Sequence, residues 1–111
     1  MPGSKRDNRQ YLNNRIRYTM KVRNMTSNKT GREVANQFII TDDQGNTYFQ
    51  SYKTIIAKVP PGHPLHGEVI LDPNWGYSKT TGKYRNQFLG ETKKETEAKI
   101  KNGTYIVTNL N

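Results

Sequence analysis

The chain has 111 residues, 32% of them hydrophobic, no cysteine, and a formal net charge of +9, with a mean hydropathy of −0.99. A chain of this length holds one modest core, and the lack of cysteine excludes disulfides and thiol catalysis. No apolar run approaches the ~18 residues of a membrane span, and the charged N-terminus has no apolar signal-peptide core, so a soluble intracellular protein is expected.

The charge is unevenly placed. Residues 1–32 hold nine cations against Asp7 alone, a net +8, whereas residues 33–111 come to +1. This asymmetry points to an anionic partner, nucleic acid or an acidic protein surface. The plainer alternative is a solvated, solubilising segment. Residues 1–14 are polar and include Arg6, Arg9, Pro2 and Gly3, the composition of a basic flexible arm. Residues 15–111 are expected to form a single domain.

From Arg15 to Arg23, Ile16, Tyr18, Met20 and Val22 alternate with Arg17, Thr19, Lys21 and Arg23. Period two predicts a half-buried strand with the cations on its outer face. Such a face either tracks a phosphate backbone or protects a sheet edge from mispairing. After a polar loop, residues 34–41 resume strand character. Asp42-Asp43-Gln44-Gly45-Asn46 then predicts a hairpin turn. Residues 47–59 read as one long strand with partial burial on both faces, or with a bulge near Ser51 to Thr54.

Residues 60–67 form a proline-rich loop. His63 and His66 stand at H-x-x-H spacing, but a metal needs three or four ligands and nothing nearby completes the set. No metal site, cofactor or catalytic residue is expected.

The stretch from Glu68 to Gly90 has three parts with different periods. Val69, Ile70 and Leu71 predict a short buried strand, and Asp72-Pro73-Asn74 predicts a turn. Tyr84, Phe88 and Leu89 share one face of a helix that Gly90 ends as a C-cap. Between turn and helix, Trp75 and Tyr77 are expected to close the core, with Trp75 largely buried. One of Ser78, Thr80 and Thr81 is the N-cap; alternatively these hydroxyls bind a phosphate or a carbonyl at the helix start, reinforced by Lys79 and Lys83. Thr92-Lys93-Lys94-Glu95 is a capping box opening a second short helix to Lys101, supported by Glu95–Lys99 and Glu97–Lys101 pairs. Asn102-Gly103 stops it, and residues 104–108 predict a final strand. The fold class expected is α+β: a small antiparallel sheet of about four strands, with two short helices before the last strand.

The motifs S-Y-K-T-I-I-A (Ser51 to Ala57) and W-G-Y-S-K-T-T (Trp75 to Thr81), followed by Phe88-Leu89 and the K-K-E helix, resemble a small uncharacterised bacteriophage and prophage domain. Its signature is S-Y-x-T-x-I-A with Y-S-x-T-T. The resemblance spans roughly residues 47–105. It implies phage origin and a host cytoplasm, and it carries no activity. Many relatives have a His after the T-T-x pair, where this chain has Lys83 and Tyr84.

An enzyme is not expected, since no paired carboxylates, activated nucleophile, P-loop or GxGxxG is present. The expected function is non-specific contact with nucleic acid through Arg6, Arg9, Arg15, Arg17, Lys21 and Arg23, with Lys79 and Lys83 assisting. The alternative is a phage inhibitor of a host or defence protein, such as a nuclease that itself binds nucleic acid.

Overall fold

Turn chemistry and strand alternation lay the sheet down in chain order. The computed structural model describes residues 20–63 and 67–111. The strands are β1 (Lys21–Thr26), β2 (Glu33–Thr41), β3 (Thr47–Ser51), β4 (Thr54–Val59), β5 (Ile70–Leu71) and β6 (Ile106–Val107), with α1 (Lys79–Leu89) and α2 (Lys93–Lys101) between the last two. Their order in the sheet is their order in the chain. Neighbours from β1 to β5 are antiparallel, and β6 runs parallel to β5. The expected 1–14 arm and the residues Arg6, Arg9, Arg15, Arg17 and His66 lie outside the described residues.

The α+β class holds, but the expected antiparallel sheet of about four strands is corrected to a mixed sheet of six among the described residues. Two physical reasons account for the difference. The two helices carry the chain back to the end where β5 began, so β6 must run parallel to it. The stretch 47–59 is also not one strand. It folds back at Tyr52-Lys53, with Ser51 paired to Thr54. Tyr52 adopts a left-handed φ of 57°, which costs a residue with a Cβ on the order of 1 kcal/mol. Its N–H donates to the Asn36 carbonyl at 2.7 Å, and Gln50 Nε2 donates to the Tyr52 carbonyl at 2.7 Å. The register slip falls further on, where Phe49 pairs with Ala57 and Gln50 with Ile55. Ile56 is thus the extra residue of a bulge.

The hairpin at 42–46 forms as its residues dictate. Asp42 N–H donates to the Asn46 carbonyl and Gly45 N–H to the Asp42 carbonyl. The Asp42 carboxylate accepts from the Gln44 and Asn46 backbones, the Asn46 amide and the Tyr48 hydroxyl. Burial alone pushes this carboxyl up. The donors from Asn46, Gln44 and Tyr48 outweigh it and hold the pKa at about 2, below the ordinary 3.8.

Register assigns the faces. One row crosses the sheet as Arg23, Ile39, Phe49, Ala57, Leu71 and Val107. Phe49, Ala57 and Leu71 in it are fully buried. Phe49 stacks on Phe88 of α1 with ring centroids 5.7 Å apart, so this is the helix-covered face. The neighbouring row, Val22, Ile40, Tyr48, Lys58, Ile70 and Ile106, lies on the other. The expected orientation of the first strand is therefore reversed. Lys21 and Arg23 share the parity of buried Met25, while Met20 and Val22 are exposed.

In α1 the inward face is Thr81, Tyr84 and Arg85, with Phe88 and Leu89 half-buried against the core. Ser78 is the N-cap, its Oγ accepting the Thr81 N–H, and Gly90 is the left-handed C-cap. One expectation above this helix is corrected. Trp75 packs against the core with most of its surface covered, but Tyr77 is 77% exposed, because the turn after Asp72 carries it outward. In α2, Thr92 and Glu95 form the capping box reciprocally. Lys99 pairs not with Glu95 but with Glu91, at 2.7 Å. Glu91 also accepts from Thr96 and Tyr105. Those bonds outweigh the burial that raises its pKa and leave it lowered.

Thr92→Ala is expected to lower stability by about 1 kcal/mol through loss of the cap, read as a lower denaturant midpoint at unchanged slope. Because folded Asp42 holds its proton more weakly than the unfolded chain, its contribution is complete above the ordinary pKa of 3.8 and is lost as pH falls towards about 2. Melting curves of Asp42→Asn should show lower stability at neutral pH and a smaller further loss over that acid interval than the parent chain.

Candidate nucleic-acid interface

The two motif stretches, distant in sequence, meet through a buried hydroxyl pair. Ser51 Oγ and Thr81 Oγ1 lie 2.9 Å apart, and both residues are almost fully buried. Ser78 Oγ donates to Thr81 Oγ1 at 3.1 Å and accepts the Thr81 N–H at 3.1 Å. The start of α1 is thereby pinned to the end of β3. Between them opens a cleft of about 990 Å³ whose walls include Phe38 and Ile56, with Asn36, Thr54 and Thr80 adding polar groups. Tyr52 and Tyr77 line it, 51% and 77% exposed. Lys53 supplies a cation there. Asn36, like Tyr52, has a left-handed φ, of 65°.

A second groove of about 480 Å³ adjoins the cleft through Tyr77 and Ser78 and is lined by Lys79, Lys83, Arg85 and Lys93. A third, of about 390 Å³, shares Lys83 and Asn86 with the second and adds Lys29 from the β1–β2 loop. Among the described residues, no carboxylate lines any of the three. These three neighbouring grooves, which share lining residues and are lined by Lys29, Lys53, Lys79, Lys83, Arg85 and Lys93, form a basic track, with two exposed aromatic rings in the first.

Arg85 anchors the middle of the track. It is 1% exposed, donates to the Trp75 carbonyl and to Asn86 Oδ1 at 2.7 Å each, and lies over the Trp75 ring 5.1 Å from its centroid. Its Nε finds no hydrogen-bond partner among the described residues. Desolvation draws its pKa down, and the charges of Glu91 and Glu97 act in the opposite direction. Gly82 lies beside the guanidinium, where a Cβ would make an ordinary van der Waals contact, 3.6 Å from Arg85 Nη1.

Of the residues singled out in the sequence, Lys79 and Lys83 are exposed and belong to the track. Lys21 and Arg23 are exposed on β1, at the edge of the sheet among the described residues, and line none of the track's three grooves. Lys29, Lys53, Lys93, Arg85 and Tyr52 were not singled out as site residues. Lys93 was read only as part of the capping box, and Arg85 stands out only by being a charge at helical spacing from Thr81 and Phe88. His63 Nδ1 lies 3.2 Å from the Gly67 carbonyl, a local loop contact.

No curated protein and no solved structure shows significant similarity to the chain. Residues 20–104 match a family described as Family of unknown function (DUF8033). That span contains both motifs, the buried hydroxyl pair that joins them and the whole basic track, and the chain belongs to this family.

Proposed function

We propose that this chain is a phage-encoded binding protein without enzymatic activity that contacts single-stranded nucleic acid non-specifically in the host cytoplasm. The observation that carries the reading is the basic track, which sets Lys29, Lys53, Lys79, Lys83 and Lys93 around three neighbouring grooves that no carboxylate lines among the described residues. Cations along a groove neutralise phosphates and exposed rings stack on bases, neither of which requires a particular sequence. Arg6, Arg9, Arg15 and Arg17 of the N-terminal segment, with Lys21 and Arg23 on β1, extend the cationic supply. The phage setting rests on the motif resemblance alone. A second reading, an inhibitor that binds an acidic surface of a host or defence protein, draws on β1, the first strand of the sheet among the described residues, where Met20 and Val22 are 61% and 63% exposed beside Lys21 and Arg23.

Fluorescence anisotropy with a labelled single strand tests the first reading. If four phosphates are neutralised, the log–log salt slope is about −2.8, and affinity falls roughly fiftyfold between 50 and 200 mM salt. Replacing Lys79, Lys83 and Lys93 together by alanine should flatten the slope by about 2 and leave the melting temperature nearly unchanged, since all three are exposed. No binding at low salt, beside a stable complex with a host protein, would reject this reading in favour of the second.

A further inference from the structure

We infer that the cleft between the Tyr52–Lys53 turn and the start of α1 receives one unpaired base of the bound strand, while the adjoining groove holds the neighbouring phosphate. This rests on the nucleic-acid reading above and adds to it a demand for a base rather than for backbone charge alone. The cleft has a volume of about 990 Å³, at the upper end of the range of pockets that enclose small organic groups.

Its chemistry fits a planar heterocycle. Phe38 and Ile56 offer apolar wall, Thr80 and Asn36 offer hydrogen-bonding groups, and Tyr52 and Tyr77 offer exposed rings. Every base has a π-face, so stacking on tyrosine needs no particular sequence. The backbone is committed to this arrangement. Tyr52, a residue that resists a left-handed φ, is held at 57° on the rim, and Asn36 at 65° accepts its N–H. Strain of this kind persists only where surrounding structure enforces it, and it gathers at binding sites. Tyr77 and Ser78 belong to both the cleft and the second groove. A base in the cleft therefore places its own backbone beside Lys79, Lys83 and the start of α1, where a helix terminus favours anions.

The test compares two labelled strands of equal length on the full chain at 50 mM salt. One is an oligothymidylate and the other is the corresponding abasic sugar–phosphate strand. The base-bearing strand should bind about tenfold tighter, the size of one stacking contact. Tyr77→Ala should abolish that difference by weakening only the base-bearing strand, and Tyr77→Phe should restore it. A ring 77% exposed can be removed without unfolding the domain, and a melting curve of each variant checks this. Equal affinity for the two strands, with salt-dependent binding retained, would overturn the base-pocket inference and leave the nucleic-acid reading standing. Absence of binding to both strands would overturn the reading and the inference together.

Discussion

The buried hydroxyl pair of Ser51 and Thr81 is the contact on which the site geometry depends. Ser51 ends β3, and the chain reverses directly after it. Thr81 is the third residue of α1, tied to its N-cap Ser78. Joining them sets the direction of the helix across the sheet. Phe88 then falls over Phe49, Tyr84 enters the core, and Lys79 and Lys83 are left outside. A neutral hydrogen bond of this kind contributes only about 1 kcal/mol, but leaving either hydroxyl buried without a partner costs about 1–3 kcal/mol. The pairing therefore acts chiefly against any packing that separates the two stretches.

Beside this satisfied pair lie two unsatisfied groups. Gln37, paired across the sheet with Ser51, is fully buried, and neither its amide nitrogen nor its carbonyl oxygen finds a partner among the described residues. Among the described residues, Arg85 is buried with an unpartnered Nε and no carboxylate bonded to it. A buried charge without a close counterion is costly. The hydrogen bonds from Trp75 and Asn86 and the Trp75 ring offset part of that cost. Arg85 thus fixes Trp75 and the turn that leads to Tyr77 while adding positive potential beneath the grooves. Glu91, the nearby carboxylate that acts on it at longer range, is already paired with Lys99, so the track keeps its sign.

Two further carboxylates serve the fold rather than the track. Asp72 is buried and accepts from Asn74, Leu110 and Asn111, tying the turn after β5 to the last residues. Asn111 in turn exchanges hydrogen bonds with the backbone of Ile55 on β4. Glu91 links the α1–α2 connection to α2 and to Tyr105 before β6. These links hold the parallel β5–β6 pair, only two residues long on each side, against the edge of the sheet.

What the sequence determined by itself is everything that depends on a few adjacent residues. The Asp42–Asn46 turn, the Ser78 and Thr92 N-caps, the Gly90 C-cap and the placing of two helices before the last strand all follow from local chemistry that the fold does not override. Tertiary structure alone decided the rest. The reversal at Tyr52-Lys53 has no Gly, Pro, Asn or Asp within it, because the Asn36 carbonyl, supplied by another strand, holds it in place. The inward face of β1 is set by pairing Arg23 with Ile39, since alternation distinguishes two faces without saying which one a helix will cover. Arg85 reads as a solvent charge until α1 packs and Trp75 closes over it. The basic track is the last of these, because its lysines come from a loop, a turn and two helices that only the packing of α1 on β3 brings together.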